Sequence, residues 1–264
     1  MYDFTYTRVS SIADAVKGLK GDDEAKVVAG GMTLLPTLKL RLARPSALLD
    51  LGGVKDLVGI KADGKTVTIG AMTTHGAVAA SAEVKKAIPA LAHLAAHIGD
   101  PAVRNRGTIG GSVANNDPAA DYPAGVLGLG ATIVTNERQI AADEFFKGMF
   151  ETALKPGELI TAISFPVPEK AAYMKFPNPA SRYAMVGVFV AKTASGVRVA
   201  VTGAAPSVFR QKDMEAALAK KWAPEALEGI KQKADGLNSD IHGSAEYRAH
   251  LVGVMAKRAV QAAG

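Results

Sequence analysis

Hydrophobic and polar residues alternate in short blocks along the first part of the chain, and these blocks predict mixed helices and strands. Ser11, with Asp14 three residues later, is typical of a helix start, and this helix should end near Gly21. The other elements predicted in this part are a strand over 26–29, a turn at Gly30 and Gly31, a helix over 33–40 and a strand over 47–51. Together they form a β–turn–α–β unit of about 55 residues.

The middle of the chain combines alanine-rich segments with β-branched ones. The predicted elements are a strand over 67–72, helices over 74–82 and 88–98, and strands over 131–135 and 159–165. Pro166 and Pro168 then interrupt the pattern, which predicts a domain boundary there.

The last third has strands first and helices afterwards, an order that is typical of α+β domains. The predicted strands cover 173–176, 185–193 and 197–203, and the predicted helices cover about 213–220, 224–236 and 244–262. The apolar stripe of the last helix predicts either a packing face or a contact with a partner. The predicted domains are therefore 1–55, 56–167 and 168–264.

Composition narrows the class of protein. With 48% hydrophobic and 21% charged residues, the chain has the make-up of an ordinary folded protein. The net charge of +6 is spread along the chain without basic runs interleaved with aromatics, so nucleic-acid binding is not predicted. The absence of cysteine excludes disulfides, thiol catalysis and cysteine-ligated clusters within this chain. No signal peptide or membrane-spanning run is recognised, so a cytoplasmic location is expected.

Two glycine segments carry the clearest chemical signal. The first glycine segment (residues 27–34) contains Gly30 and Gly31, and the second (residues 106–121) combines glycines with short hydroxyl, amide and carboxylate side chains. Glycine lets a backbone turn its N–H groups toward a polar ligand, and a helix start after such a turn favours phosphate. Neither segment has the spacing of a Rossmann fingerprint or a P-loop, and a plain tight turn remains the alternative for the first segment.

Two runs resemble the FAD motifs of the molybdenum hydroxylase family, namely Ala-Gly-Gly-Met-Thr-Leu-Leu-Pro at 29–36 and Arg-Asn-Arg-Gly-Thr-Ile-Gly-Gly-Ser-Val-Ala-Asn-Asn-Asp-Pro-Ala-Ala-Asp at 104–121. The resemblance is to the FAD-binding medium subunits of carbon monoxide dehydrogenase and xanthine dehydrogenase type, and it extends over nearly the whole chain. It implies an α+β protein: a two-subdomain FAD-binding fold of the PCMH type, then a C-terminal domain with a three-stranded antiparallel sheet and a helical bundle.

The resemblance also implies which residues contact FAD. Residues 27–34 would surround the pyrophosphate with backbone N–H groups, and residues 108–112 would form the second phosphate and ribityl contact. Lys175 would lie near the flavin carbonyl edge, where a cation favours a reduced flavin. The full set of cofactor-binding residues is Val27, Val28, Ala29, Gly30, Gly31, Met32, Thr33, Leu34, Thr74, His75, Ile98, Thr108, Ile109, Gly110, Gly111, Ser112, Asn115, Asp121, Ile160, Lys175 and Tyr183.

Two residues of that set, and one histidine pair outside it, need separate interpretation. Tyr183 matches an aromatic near the isoalloxazine but is equally typical of a half-buried strand tyrosine. Met32 stands where relatives often have a polar residue, so a side-chain contact is not expected there. His93 and His97, spaced for one helix face, could suggest a metal site, but surface or interface histidines are the preferred interpretation.

The function implied is an electron-transfer flavoprotein subunit without catalytic or metal-binding residues of its own. Electrons would come from a molybdopterin-containing large subunit through the [2Fe-2S] clusters of a small subunit, and the flavin would pass them to an external acceptor. The assembly implied is a dimer of heterotrimers. A standalone flavin oxidoreductase and a nucleotide-binding assembly module remain the alternatives.

Overall fold

The computed structural model describes all 264 residues, and the first of its sheets lies in the N-terminal part. This sheet is parallel, with β1 (Thr5–Arg8), β3 (Ala47–Asp50) and β2 (Lys26–Val28) in that spatial order. The helices of this part are α1 (Ile12–Gly21) and α2 (Leu34–Lys39), and short 3-10 turns follow at Leu51–Gly53 and Lys55–Leu57. As predicted, Ser11 begins α1, because its hydroxyl accepts a hydrogen bond from the Asp14 amide at 3.1 Å.

The middle part is built on a five-stranded antiparallel sheet of spatial order β4-β5-β10-β6-β7. Its strands are β4 (Ile60–Ala62), β5 (Thr66–Gly70), β6 (Thr132–Thr135), β7 (Gln139–Ala141) and β10 (Ile160–Pro166), with a separate hairpin of β8 (Phe146–Gly148) and β9 (Glu151–Thr152). The helices are α3 (His75–Ala80), α4 (Ala82–Ala87), α5 (Pro89–Ala96), α6 (Pro101–Arg106), α7 (Ile109–Asn115), α8 (Tyr122–Leu129) and α9 (Ala142–Phe145). These helices and the sheet enclose the largest hydrophobic core.

The C-terminal part has a four-stranded antiparallel sheet whose chain order is also its spatial order. Its elements are β11 (Lys170–Pro177), β12 (Ala184–Thr193), β13 (Gly196–Thr202), β14 (Phe209–Arg210), α10 (Lys212–Lys220), a 3-10 turn at Pro224–Leu227 and α11 (Ala245–Ala263). The apolar stripe of α11 packs on β11 and β12, and Leu251, Val252 and Met255 are buried there. This helix face therefore belongs to the core. None of the helices is both long enough and apolar enough to span a membrane.

The α+β fold predicted from the sequence is confirmed, with corrections to individual elements. The helix predicted over 224–236 is wrong, because only Pro224–Leu227 is helical and Gly229 and Gly236 take positive φ angles of 79° and 77°. The C-terminal sheet has a fourth strand, Phe209–Arg210, where three strands were predicted. The domain division at 55/56 and 167/168 stays a prediction, although each sheet lies within one of the three parts.

Candidate FAD site

A cleft of about 590 Å³ lies where the three parts of the chain meet, a volume within the range of small-molecule sites. Most of the predicted cofactor-binding residues line it: Val27, Val28, Ala29, Gly30, Gly31, Met32, Thr33, Leu34, His75, Ile98, Thr108, Gly111, Ser112, Asn115, Asp121 and Tyr183. The two glycine segments, far apart in the sequence, therefore form facing walls of one cleft.

The first glycine segment forms a sharp turn between β2 and α2. Gly31 has a φ of 74°, a conformation that a side chain disfavours. A Cβ on Gly30 would overlap the carbonyl oxygen of Arg106, so this residue lies directly against the backbone of the second glycine segment. The start of α2 also lines the cleft, and there the Leu35 amide donates to the Gly31 carbonyl at 3.0 Å while Pro36 has no N–H.

The second glycine segment begins at Arg106, the last residue of α6, and contains the whole of α7, a helix that was not predicted. Thr108 begins α7, because its hydroxyl accepts a hydrogen bond from the Gly111 amide at 3.2 Å. Backbone bonds then attach the segment to the chain before α3: the His75 amide donates to the Gly107 carbonyl at 2.9 Å, and the Gly110 amide donates to the Ala71 carbonyl at 2.8 Å. The wall of the cleft is thus rigidly supported.

His75 is a buried side chain on this wall, with 4% of its surface exposed. Burial, assisted by the positive charge of Arg104, lowers the pKa of His75 to about 4, so its imidazole is neutral at pH 7. Its ring lies 5.3 Å from that of Tyr122, and neither His75 Nδ1 nor the Tyr122 hydroxyl has a hydrogen-bond partner within the protein. Burial also raises the pKa of Tyr122.

Asp121 forms the polar end of the cleft together with two side chains behind it. Its carboxylate accepts hydrogen bonds from the Tyr173 hydroxyl at 2.5 Å and from the Lys175 ammonium at 3.0 Å. Burial raises the pKa of Asp121, while the Lys175 charge and the Tyr173 hydrogen bond favour its ionised form. Lys175 also donates to the His97 carbonyl at 2.9 Å. The lysine therefore acts on the cleft through Asp121 and does not itself line it.

Five predicted residues lie outside the cleft surface. Thr74 starts α3 and pairs with Thr108 in an isolated bridge, and Gly110 packs on Ala71. Ile109 and Ile160 are buried in the hydrophobic core, and Lys175 lies behind Asp121. Their places support the walls, and their predicted contacts with a cofactor stay predictions.

Several cleft residues were not predicted from the sequence: Lys26, Thr37, Gly99, Val103, Gly107, Ala114, Asp117, Ala120, Phe150, Ser181 and Arg182. Those next to the two motifs could have been found by extending each segment. Phe150 could not, because it lies at the tip of a hairpin that is distant from both glycine segments in the sequence.

Other polar residues near the cleft have partners within the protein. The His93 and His97 rings lie 4.1 Å apart and are tilted by 40°, and His97 Nδ1 lies 2.8 Å from the His93 carbonyl oxygen. Asp117 accepts a hydrogen bond from the Ala119 amide at 2.9 Å and so stabilises a turn, whereas Asp121 is paired with Lys175.

Two family models match the chain. Residues 2–168 match the FAD binding domain in molybdopterin dehydrogenase, and residues 171–263 match the CO dehydrogenase flavoprotein C-terminal domain. These matches confirm the resemblance inferred from the glycine segments.

Individual proteins resemble the chain over nearly its whole length. The nicotine 6-hydroxylase medium subunit of Paenarthrobacter nicotinovorans is 37% identical, with 98% of this chain and 96% of that protein covered. The carbon monoxide dehydrogenase medium chain of Afipia carboxidovorans is 38% identical, with the same coverage of 98% and 96%. A solved carbon monoxide dehydrogenase from Hydrogenophaga pseudoflava superposes with a TM-score of 0.91 at 36% identity, over 99% of this chain and 97% of that chain. The chain therefore belongs to the FAD-binding medium subunits of the molybdenum hydroxylase family, which are oxidoreductase subunits with FAD as cofactor.

Proposed function

We propose that this chain is the electron-transfer subunit of a heteromeric molybdenum hydroxylase, working with a molybdopterin-containing large subunit and a [2Fe-2S] small subunit in a dimer of heterotrimers. Bound FAD supplies a redox centre that takes electrons from the iron–sulfur clusters and gives them to an external acceptor. The observation that carries the proposal is the cleft itself, with two glycine segments on its walls and a buried Asp121–Lys175 pair at one end.

The cleft fits FAD along its length. The glycine-lined walls would offer backbone N–H groups to the pyrophosphate. At the polar end, Asp121 would offer its carboxyl group to an N–H of the flavin ring, and Tyr173 and Lys175 orient that group and favour its ionised form. His75 stays neutral at pH 7 and offers an unpaired nitrogen beside the wall without adding charge.

The distribution of chemistry among subunits follows from the residues present. The chain has no cysteine, so thiolate-ligated clusters would belong to a partner. None of the cleft residues forms a nucleophile–base pair, and binding and orienting the flavin is therefore the part that this chain performs. The substrate would be selected on the large subunit.

The test uses the chain purified together with its partner subunits and also alone. We expect a flavin absorption spectrum in both preparations, and substrate should bleach it only when the partners are present. Bleaching by a reduced nicotinamide or another donor without partners would favour a standalone flavin oxidoreductase. A chain that neither carries nor takes up FAD would overturn the proposal.

A further inference from the structure

Two strained turns stand on the rim of the cleft, and each of them carries an exposed aromatic side chain. The turn between β8 and β9 contains Phe150, which has a φ of 56°, and the turn between β11 and β12 contains Arg182, which has a φ of 62°. Phe150 is 57% exposed, and Tyr183, next to Arg182, is 47% exposed. Both aromatic residues line the cleft. A bulky residue with positive φ is strained, and such strain persists only where the surrounding structure imposes it.

An asparagine imposes the conformation of each turn. The Asn116 side chain is buried, and its Nδ2 donates hydrogen bonds to the carbonyls of Gly148 and Glu151, both at 2.8 Å, on either side of Phe150. The Phe150 amide donates to the Asn116 carbonyl at 3.2 Å. In the other turn, Asn178 Oδ1 accepts from the amides of Ala180 and Ser181 at 2.9 Å and 3.1 Å.

The same short segment joins both turns. Phe150 is bonded to Asn116, and the Ala184 amide donates to the Ala119 carbonyl at 3.3 Å, three residues further along. These bonds attach both turns to residues 116–119, and the same segment continues to Asp121 at the polar end of the cleft. In the proposed function, this end holds the flavin ring.

Burial in the protein core does not explain Phe150. More than half of its side chain is exposed, so the strained backbone gains little from packing within this chain. Met149, the neighbouring residue, is 53% exposed and does not line the cleft, so the hairpin tip directs only one of its two apolar side chains there.

The geometry points to Phe150 as an FAD-positioning residue that packs against the flavin ring alongside Tyr183. The inference rests on the proposed function, because it needs FAD in the cleft with the flavin at the Asp121 end. A planar aromatic cofactor is the occupant that matches an exposed phenyl ring and a tyrosine on the rim. The Asn116 hydrogen bonds hold the strained backbone, so the exposed ring is already placed at the rim before FAD binds.

The test compares Phe150→Gly with Met149→Gly in the FAD-loaded protein. Glycine relieves the positive φ at position 150, so we expect the flavin-free Phe150→Gly chain to melt at the same temperature as wild type or higher. We also expect its Kd for FAD to rise by about 2- to 12-fold, the range for an aromatic contact. The fluorescence of bound FAD should increase, because a packed aromatic ring quenches it. Met149→Gly should keep the wild-type Kd and fluorescence.

A second variant tests how Phe150 is held. Asn116→Gly keeps a residue that tolerates the φ of 45° and removes the bonds to Gly148 and Glu151. We expect an FAD fluorescence between those of wild type and Phe150→Gly. Should Phe150→Gly fold poorly, Phe150→Leu keeps the apolar bulk and removes only the aromatic ring.

The outcomes distinguish a failure of the Phe150 role from a failure of the proposed function. Wild-type Kd and fluorescence in Phe150→Gly, in a protein that binds FAD normally, would overturn the role of Phe150 and leave the proposed function standing. Loss of partner subunits with unchanged fluorescence would assign Phe150 to a subunit contact and overturn the inference as well. A wild-type chain that takes up no FAD would remove the proposed function itself.

Discussion

The two glycine segments face each other across one cleft, yet their glycines have different neighbours. Gly30 in the first segment lies against the backbone of Arg106, and a Cβ there would overlap its carbonyl oxygen. Gly111 in the second segment meets a side-chain hydroxyl: its Cβ would lie 2.9 Å from Thr108 Oγ1 and 3.6 Å from the Ala29 methyl. The first glycine is therefore required by the protein's own packing, and the second is open toward the cleft.

This difference shows that a glycine motif does not by itself identify what approaches the backbone. Gly107 and Gly110 resemble Gly30, because a Cβ at those positions would lie 2.5 Å from His75 Nε2 and 2.5 Å from the Ala71 methyl, respectively. Of these three glycines of the second segment, only Gly111 has room beside it on the cleft side. The glycines hold the two segments together, and that contact forms part of the cleft wall.

Gly30→Ala should have the largest effect. The added methyl overlaps a backbone carbonyl that cannot rotate away, so we expect a loss of about 3 kcal/mol or more in the free energy of unfolding, measured with urea. FAD binding should fall as well, because both walls of the cleft shift.

Gly21→Ala is the matched control in the same part of the chain. Gly21 ends α1, and a Cβ there would meet nothing within 4 Å, so a wild-type free energy of unfolding is expected within about 0.5 kcal/mol. If Gly30→Ala behaved like this control, the two segments would not be in tight contact and the comparison would be wrong.

Gly107 of the second segment packs against the buried imidazole of His75. The pH dependence of the free energy of unfolding tests whether that imidazole is buried. The pKa of His75 is about 4 in the folded protein and 6.5 in an unfolded chain, so protonation favours unfolding. The stability is therefore fully present above pH 6.5, falls as the pH drops from 6.5 toward 4, and loses nothing further from this group below that. Between pH 7 and pH 5 we expect His75 to account for a loss of about 2 kcal/mol.

His75→Gln removes this titration, and the exposed His250 on α11 gives the matched variant His250→Gln. Urea unfolding at several pH values should show a shallower acid loss for His75→Gln than for wild type or His250→Gln. Parallel curves for all three proteins would show that His75 is accessible to solvent in the folded state.

Much of the fold was predictable because the local pattern and the tertiary structure agree. Strand β12 (Ala184–Thr193) is rich in β-branched residues and lies in the middle of its sheet, so its sequence predicted it within a residue. The region after Leu227 has helix-forming residues, but Gly229 and Gly236 take positive φ angles there and the helix does not continue. Helix propensities of single residues do not predict the backbone angle that a glycine adopts.

The site was predictable where one segment of the chain carries it and not where the fold assembles it. Residues 27–34 all line the cleft, because a glycine turn between a strand and a helix exposes its backbone. Phe150 reaches the cleft only through the Asn116 hydrogen bonds, which join residues 32 and 35 positions apart. Strand β10 places Ile160 in the hydrophobic core rather than on the cleft surface, and its contact with the cofactor stays a prediction.

Gly111→Val should have the smallest effect on stability and the clearest effect on FAD. Valine is a better helix former than glycine, but its Cβ displaces the Thr108 hydroxyl from the Gly111 amide, so the net loss should stay near 1 kcal/mol. Its branched side chain stands where the pyrophosphate would lie, and FAD uptake should be blocked.

Gly253→Val, in α11 with nothing within 4 Å of its Cβ, is the matched control and should keep its FAD. A folded Gly111→Val chain with normal FAD content would contradict the assignment of this wall to the cofactor. A loss of stability as large as that of Gly30→Ala would instead show that Gly111, like Gly30, is required for packing within the protein. The second segment would then offer no glycine to the pyrophosphate.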